Sequence, residues 1–302
     1  MKIANTPIVQ IDNDLWVKRE DLIPFSFGGN KVRKAALFFE DFDKGSYDCV
    51  VTYGSSSSNH CRVIANIAAS RGILCYIVSP TETLKETYNR KLIELFGASF
   101  IFAPLNKVHE TLESTIKKLR EEGHKPYFIQ GGGHGNIGTQ AYINCYQEIV
   151  EWEKANNLYF DYIFFASGTG TTQAGLVCGQ ILAKDNNRRI IGISIARSKE
   201  RGANVIKESI MEYLGSEICE KECNDKIVFL DDYIEGGYGK QSQSIKDIIK
   251  FAMEKYGLPL DETYTGKAFF GMNDYLKKNN IANKKVLFIH TGGTPLFFDS
   301  IK

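Results

Sequence analysis

A regular rhythm constrains this chain more than any single motif does. Short apolar runs recur at about twenty-five residues, with amphipathic stretches between them. A first series covers 49–53, 73–78, 100–102 and 127–129, and a second covers 162–165, 190–195, 227–230 and 286–289. Between runs, Val108, Leu112, Ile116 and Leu119 form one stripe at helical spacing, and helices are predicted over 136–151, 173–183 and 244–256. Strand and helix alternating in this way imply crossover connections and parallel sheets. Several runs are continuously apolar rather than alternating, as in strands covered on both faces. Ahead of the rhythm, 7–9 and 15–17 read as a short strand pair.

A chain of 302 residues exceeds one ordinary core and fits two domains. The joint Gln130-Gly131-Gly132-Gly133-His134-Gly135-Asn136 is dense in glycine and is predicted to carry the crossing between them. The expected architecture is α/β: two open parallel-sheet domains with a cleft between them. Residues 1–40 and 141–302 form the larger domain and 41–140 the smaller inserted one. A net charge of +1 gives no global field for nucleic acid or an acidic membrane surface. No apolar run reaches the length of a membrane span, and the first residues lack the apolar core of a secretory signal, so a cytoplasmic location is expected. The seven cysteines are odd in number and scattered, which argues against a disulfide framework. Cys219 and Cys223 are only two ligands, too few to close a zinc site, so no metal is expected.

Ligands of open parallel sheets bind beyond the carboxyl ends of strands. Several stretches there have unusual chemistry. Gly28-Gly29-Asn30-Lys31-Val32-Arg33-Lys34 sets a lysine behind two glycines at the start of an apolar helical run. Burial or a neighbouring cation would make that amine a nucleophile toward carbonyls; otherwise it is a surface charge. Ser167, Gly168, Thr169, Gly170, Thr171 and Thr172 follow a strand and precede a helix, the arrangement of a phosphate cradle. No Gly-Lys-Ser/Thr follows, so this is not a Walker loop. Gln173 stands where a dinucleotide fingerprint needs its third glycine, which weighs against a nucleotide-dependent oxidoreductase. Gly54-Ser55-Ser56-Ser57-Ser58-Asn59-His60 offers hydroxyls and an amide to a carboxylate, or simply caps a helix. His290-Thr291-Gly292-Gly293 ends the last strand. Tyr264-Thr265-Gly266-Lys267, with Tyr238 upstream, brings two tyrosines into glycine-flanked loops.

Taken in order, Arg-Glu-Asp-Leu, Gly-Gly-Asn-Lys-x-Arg-Lys, Ser-Asn-His, Gly-Thr-Gly-Thr-Thr, Tyr-Thr-Gly-Lys and His-Thr-Gly-Gly resemble one known set. The chain is similar to the D-cysteine desulfhydrase and 1-aminocyclopropane-1-carboxylate deaminase family, within the tryptophan-synthase-like (fold type II) pyridoxal-phosphate enzymes. The resemblance runs from about residue 15 to 297 and implies pyridoxal 5'-phosphate as cofactor. It implies that Lys31 is the imine-forming lysine, that Lys34 reaches the cofactor phosphate and that 167–172 cradles it. Asn59 would bond the ring oxygen, Ser58 and His60 would face the substrate carboxylate and α-carbon, and Tyr238 and Tyr264 would line the substrate side. Thr291 would meet the pyridine nitrogen. The α-proton base would be Lys31, with Ser58 or a tyrosine as alternatives.

Deaminases of this family carry Tyr-Glu where Tyr264-Thr265 stands and glutamine where His60 stands, so the resemblance lies closer to the desulfhydrases. The implied reaction is β-elimination and deamination of a small amino acid, D-cysteine first, by a homodimer. Ring-opening deamination or β-replacement are the alternatives. Ser57, where the family often has glutamine, and the 131–136 loop, in place of one containing Gly-Gly-Ser, are departures that bear on the substrate pocket.

Overall fold

Among the described residues ten strands carry the fold: β1 Ile8–Asp12, β2 Leu15–Arg19, β3 Cys49–Tyr53, β4 Leu74–Pro80, β5 Ser99–Ala103, β6 Pro126–Ile129, β7 Tyr162–Ser167, β8 Arg189–Ser194, β9 Val228–Leu230 and β10 Val286–His290. The computed structural model describes residues 1–215, 220–234, 236–237 and 242–301. Six strands form one sheet in the order β1-β2-β10-β7-β8-β9, and four form a second in the order β5-β4-β3-β6. Every pairing is parallel except β1 with β2. All eight predicted runs are strands, with boundaries displaced by no more than two residues.

Side-chain alternation along the central strands feeds two cores. Ile163 and Phe165 of β7 join one cluster, while Phe164 and Ala166 join another across the sheet. The smaller sheet does the same with Val50 on one face and Cys49 and Val51 on the other. Both sheets are therefore covered on both sides, which is why their strands read as continuous apolar runs. The helix Asn30–Phe42 serves both lobes: Phe38, Phe39 and Phe42 enter a core of the four-stranded sheet, and Leu37 packs against the larger one.

Strand β10 lies between β2 and β7 in the six-stranded sheet. Loops leaving the carboxyl ends of β7 and β10 thus emerge side by side, with the start of the Asn30–Phe42 helix beside them. The helix predicted over 173–183 runs instead over Thr171–Leu182. Gly170, at φ 93°, breaks the backbone directly before it, so Thr171 and Thr172 sit in its first turn.

A buried ion cluster fixes that helix to its surroundings. Arg33 donates to Glu20 from Nε and Nη2, both at 2.7 Å, and Nη2 lies 2.9 Å from Glu148. Lys18 donates to Glu148 and to the Thr6 hydroxyl, both at 2.7 Å, and the Tyr142 hydroxyl donates to Glu20. Lys18 and Glu20 are fully buried. Burial works to raise the Glu20 pKa, but the charges of Arg33 and Lys18 prevail and hold it at about 2. A carboxylate depressed in the fold stabilises it fully above its unfolded value of 4.5, and that contribution is lost as pH falls toward 2. Removing one partner strands the others in a dry site. Lys18→Met is expected to lower unfolding free energy by about 3–5 kcal/mol, read as a lower urea midpoint at unchanged slope. A loss below about 1 kcal/mol would show the cluster to be energetically idle.

Candidate active site

Lys31 is placed by contact between two backbones. Gly28 and Gly29 have φ of 62° and 102°, and Gly29 caps the helix that carries the lysine. A Cβ on Gly29 would stand 2.8 Å from the Thr291 carbonyl oxygen, and one on Gly292 would stand 2.6 Å from Gly29 Cα. The Asn30 N–H donates to the Thr291 oxygen at 3.0 Å. The helix start is therefore seated on the end of β10, and only glycine permits so close a seat.

From there Lys31 Nζ donates to the Gly132 carbonyl at 3.0 Å. Burial lowers its pKa from 10.5 to about 8. Arg33, one of the cations expected to depress it, instead turns into the ion cluster with Glu20 and Glu148. Desolvation, not a neighbouring charge, makes this amine available as a neutral nucleophile.

The amine opens on a cavity of about 520 Å³. The wall includes Lys31, Ser58, Asn59, His60, Gly168, Thr169, Gly170, Thr172, Tyr264 and Thr291. Elements from both sheets thus meet at one space. Ser167 and Thr171 are buried beside it rather than on its wall: the Ser167 hydroxyl has no hydrogen-bond partner, and Thr171 Oγ1 shares a proton with His134 Nδ1 at 2.7 Å. Tyr238 lies outside the described residues, as does Cys219.

Among the described residues the wall bears two cations, Lys31 and Arg197, and no aspartate or glutamate. Gly168, Thr169 and Gly170 lead into the Thr171–Leu182 helix, whose first N–H groups and positive dipole end face this region. Asn30 Nδ2 donates to Thr172 Oγ1 at 3.2 Å, tying the loop to the Lys31 helix. Lys34 Nζ is buried with no hydrogen-bond partner, and its pKa falls well below 10.5 through burial and then the charge of Lys31. A sealed amine with no acceptor surrenders its proton readily, and an anion beside it would favour the charged form.

The serine loop does two jobs. Ser58 Oγ accepts from the N–H groups of His60 and Cys61 at 3.1 and 3.3 Å, capping the Asn59–Ser70 helix, while Ser58 also lines the cavity. Its lone pairs are engaged, so its proton is the part available to a ligand. His60 lines the cavity as well, and its protonation is set by the residues behind it. Thr52 Oγ1 gives its single proton to the Ile129 carbonyl at 2.7 Å, so it must accept from His60 Nε2 at 2.9 Å. That fixes the Nε2–H tautomer. Burial, then the charges of Lys31 and Lys34, push the ring pKa well below 6.5, so His60 meets the cavity neutral and is no cationic anchor for a carboxylate.

Tyr264 is held by a buried turn. Asp261 accepts from the N–H groups of Thr263, Tyr264 and Thr265 and from the Thr265 hydroxyl. Thr265 is thus committed to Asp261 and is not a wall residue. Arg197 escaped the sequence reading. It directly follows the apolar run of β8, and its position beyond a strand's carboxyl end was the available signal. Its Nη1 donates to the Thr169 carbonyl at 3.1 Å.

A family profile described as pyridoxal-phosphate dependent enzyme matches residues 1–292. The chain belongs to this family. It is 31% identical to the D-cysteine desulfhydrase of Yersinia pestis (strain Pestoides F) over 297 residues, covering 95% of this chain and 89% of the relative. It is 35% identical over 300 residues to a Pyrococcus furiosus protein provisionally named a 1-aminocyclopropane-1-carboxylate deaminase, with the same coverages. A solved structure of an ACC deaminase homologue superposes with a TM-score of 0.85 at 30% identity, covering 97% of this chain and 90% of that one. The chain is a pyridoxal-phosphate-dependent lyase of the D-cysteine desulfhydrase and ACC deaminase family, with two parallel-sheet α/β domains. The residues present fit the cofactor: a desolvated amine, a helix N-terminus behind glycines, a second buried lysine without a hydrogen-bond partner and, among the described residues, a wall free of acids.

The depressed Lys31 pKa has a stability consequence. Below pH 8 the folded protein holds a poorly solvated charge at Lys31; between 8 and 10.5 the unfolded chain binds more protons, so stability rises with pH there. In the cofactor-free protein, Lys31→Met is therefore expected to gain about 1–3 kcal/mol at pH 7, a gain that fades toward pH 10.5. Urea unfolding at pH 7 and 9.5 measures it. An equal or larger gain at the higher pH would contradict a desolvated amine.

Proposed function

We propose that this lyase catalyses β-elimination and deamination of a small amino acid, D-cysteine first: D-cysteine and water give pyruvate, sulfide and ammonia. One observation supports the reading: among the described residues the wall includes Thr291 and no aspartate or glutamate, so a hydroxyl rather than a carboxylate would meet a bound ring. A hydroxyl can donate to a neutral pyridine nitrogen, whereas a carboxylate would keep it protonated and strengthen its pull on electrons. The weaker pull suits a reaction in which a leaving group departs as the α-proton is lost.

Pyridoxal phosphate, when bound, supplies the sink for charge developing at the substrate α-carbon. In this reading Lys31 is its covalent anchor, and 167–172 with Lys34 hold its phosphate. Asn59 would address the ring oxygen and Thr291 the ring nitrogen. With its amine free, Lys31 Nζ would be the base for the α-proton, a role its lowered pKa favours near neutral pH. Ser58 Oγ–H donates to the substrate carboxylate and stands second as proton carrier, and Tyr264, with Tyr238, closes the substrate side. Domain limits of 1–40 with 141–302 and 41–140, a homodimeric state and a cytoplasmic location complete the proposal. No helix among the described residues is long and apolar enough to cross a membrane.

The alternative, ring-opening deamination, is supported by relatives of both names at similar identity. Product analysis separates the two. Equal amounts of pyruvate and sulfide from D-cysteine, and no 2-oxobutyrate from 1-aminocyclopropane-1-carboxylate, are expected; the reverse pattern would overturn the proposal. Ser58→Ala is expected to lower kcat by roughly 10–100-fold and to cost about 1 kcal/mol of stability through the lost cap. An unchanged kcat with that stability loss would reduce Ser58 to a capping residue.

A further inference from the structure

Arg62 is fully buried, yet among the described residues no carboxylate is one of its hydrogen-bond partners. Its Nη1 donates to Asn59 Oδ1 at 2.7 Å and to Asn89 Oδ1 at 2.8 Å. Its Nη2 donates to the Ser26 carbonyl at 2.9 Å, in the loop that leads to Lys31. Asn89 Nδ2 in turn donates to Asn59 Oδ1 at 2.9 Å and to the Ser57 carbonyl at 2.8 Å.

A guanidinium has donors only, so whatever meets it must present an acceptor. Both amides are thereby oriented with their oxygens toward Arg62. Asn59 Oδ1 takes two donors, one from Arg62 and one from Asn89, and Asn59 is the member of this group that lines the cavity. Its Nδ2 is the end left to address a ligand there. A carboxylate in place of either amide would satisfy Arg62 equally well, but at Asn59 it would turn an acceptor toward the cavity.

Resting on the cofactor reading above, we propose that Arg62 is a positioning residue: it locks the Asn59 amide so that this side chain can only donate a hydrogen bond into the cavity, selecting an oxygen acceptor on the ring. Burial without a carboxylate lowers its pKa to about 9, which still leaves it charged at neutral pH.

The test compares pyridoxal-phosphate affinity with stability, by titrating the visible absorption band and by thermal unfolding. Asn59→Asp gives Arg62 a carboxylate partner, so the melting temperature is expected to hold or rise while the cofactor Kd weakens at least tenfold. Arg62→Met is expected to weaken Kd roughly three- to tenfold, the scale of one misplaced hydrogen bond. In the double variant Arg62→Met/Asn59→Ala the Arg62 effect on Kd should vanish, because it acts through Asn59. Should Arg62→Met fold poorly, Arg62→Lys carries the same comparison, keeping the charge without the planar fork. Wild-type affinity in Asn59→Asp, or Arg62 and Asn59 effects that simply add, would overturn the proposal. A wild type that takes up no cofactor would instead fail the cofactor reading itself, and this proposal with it.

Discussion

The site depends on one close approach, Gly29 against Thr291 and Gly292. A side chain at either glycine would occupy the space of the other segment's backbone. With both absent, the first turn of the Asn30–Phe42 helix rests on the end of β10, and the Asn30 N–H is satisfied by the Thr291 carbonyl. This contact sets three groups at once: the Lys31 amine, the Thr291 side chain and, through Asn30 and Thr172, the glycine loop after β7. The ion cluster of Arg33, Glu20, Lys18 and Glu148 then holds the helix in place from its far side.

Charge is divided between these two regions in a way that explains the chemistry. Glu20 and Glu148 beside the Lys31 helix are spent on Arg33 and Lys18, and among the described residues no acid lines the cavity wall. The cavity keeps Lys31, Arg197 and a helix N-terminus, and Lys34 sits buried behind it. Such a space favours a ligand with several negative oxygens, and in the absence of one it makes its own lysines surrender protons. Low pKa and anion affinity are here two consequences of the same desolvated, acid-free enclosure.

Much of this was legible in the sequence because it is written locally. Continuous apolar runs mark strands buried on both faces, and the eight predicted runs needed only small shifts of boundary. Lys31 behind two glycines, and the hydroxyl-rich loop after β7, carry their chemistry in adjacent residues. What the sequence hid depends on meetings across the fold. Arg33 and Lys34 are neighbours in the chain, yet one is neutralised by Glu20 and the other is left without an acceptor. His60 carries a proton on Nε2, toward Thr52, only because Thr52 spends its own on Ile129, more than seventy residues further along the chain. Arg62 and Arg197 stand in unremarkable local sequence. Their importance comes only from which carbonyls and amides they meet.

The account is tested most directly by the absorption spectrum of the protein with pyridoxal phosphate, wild type beside Lys31→Ala. A Schiff-base band near roughly 410–430 nm is predicted in the wild type and absent from the variant. No band in the wild type, or a band that persists without Lys31, would contradict the claim that this lysine, seated by Gly29 on the end of β10, holds the cofactor.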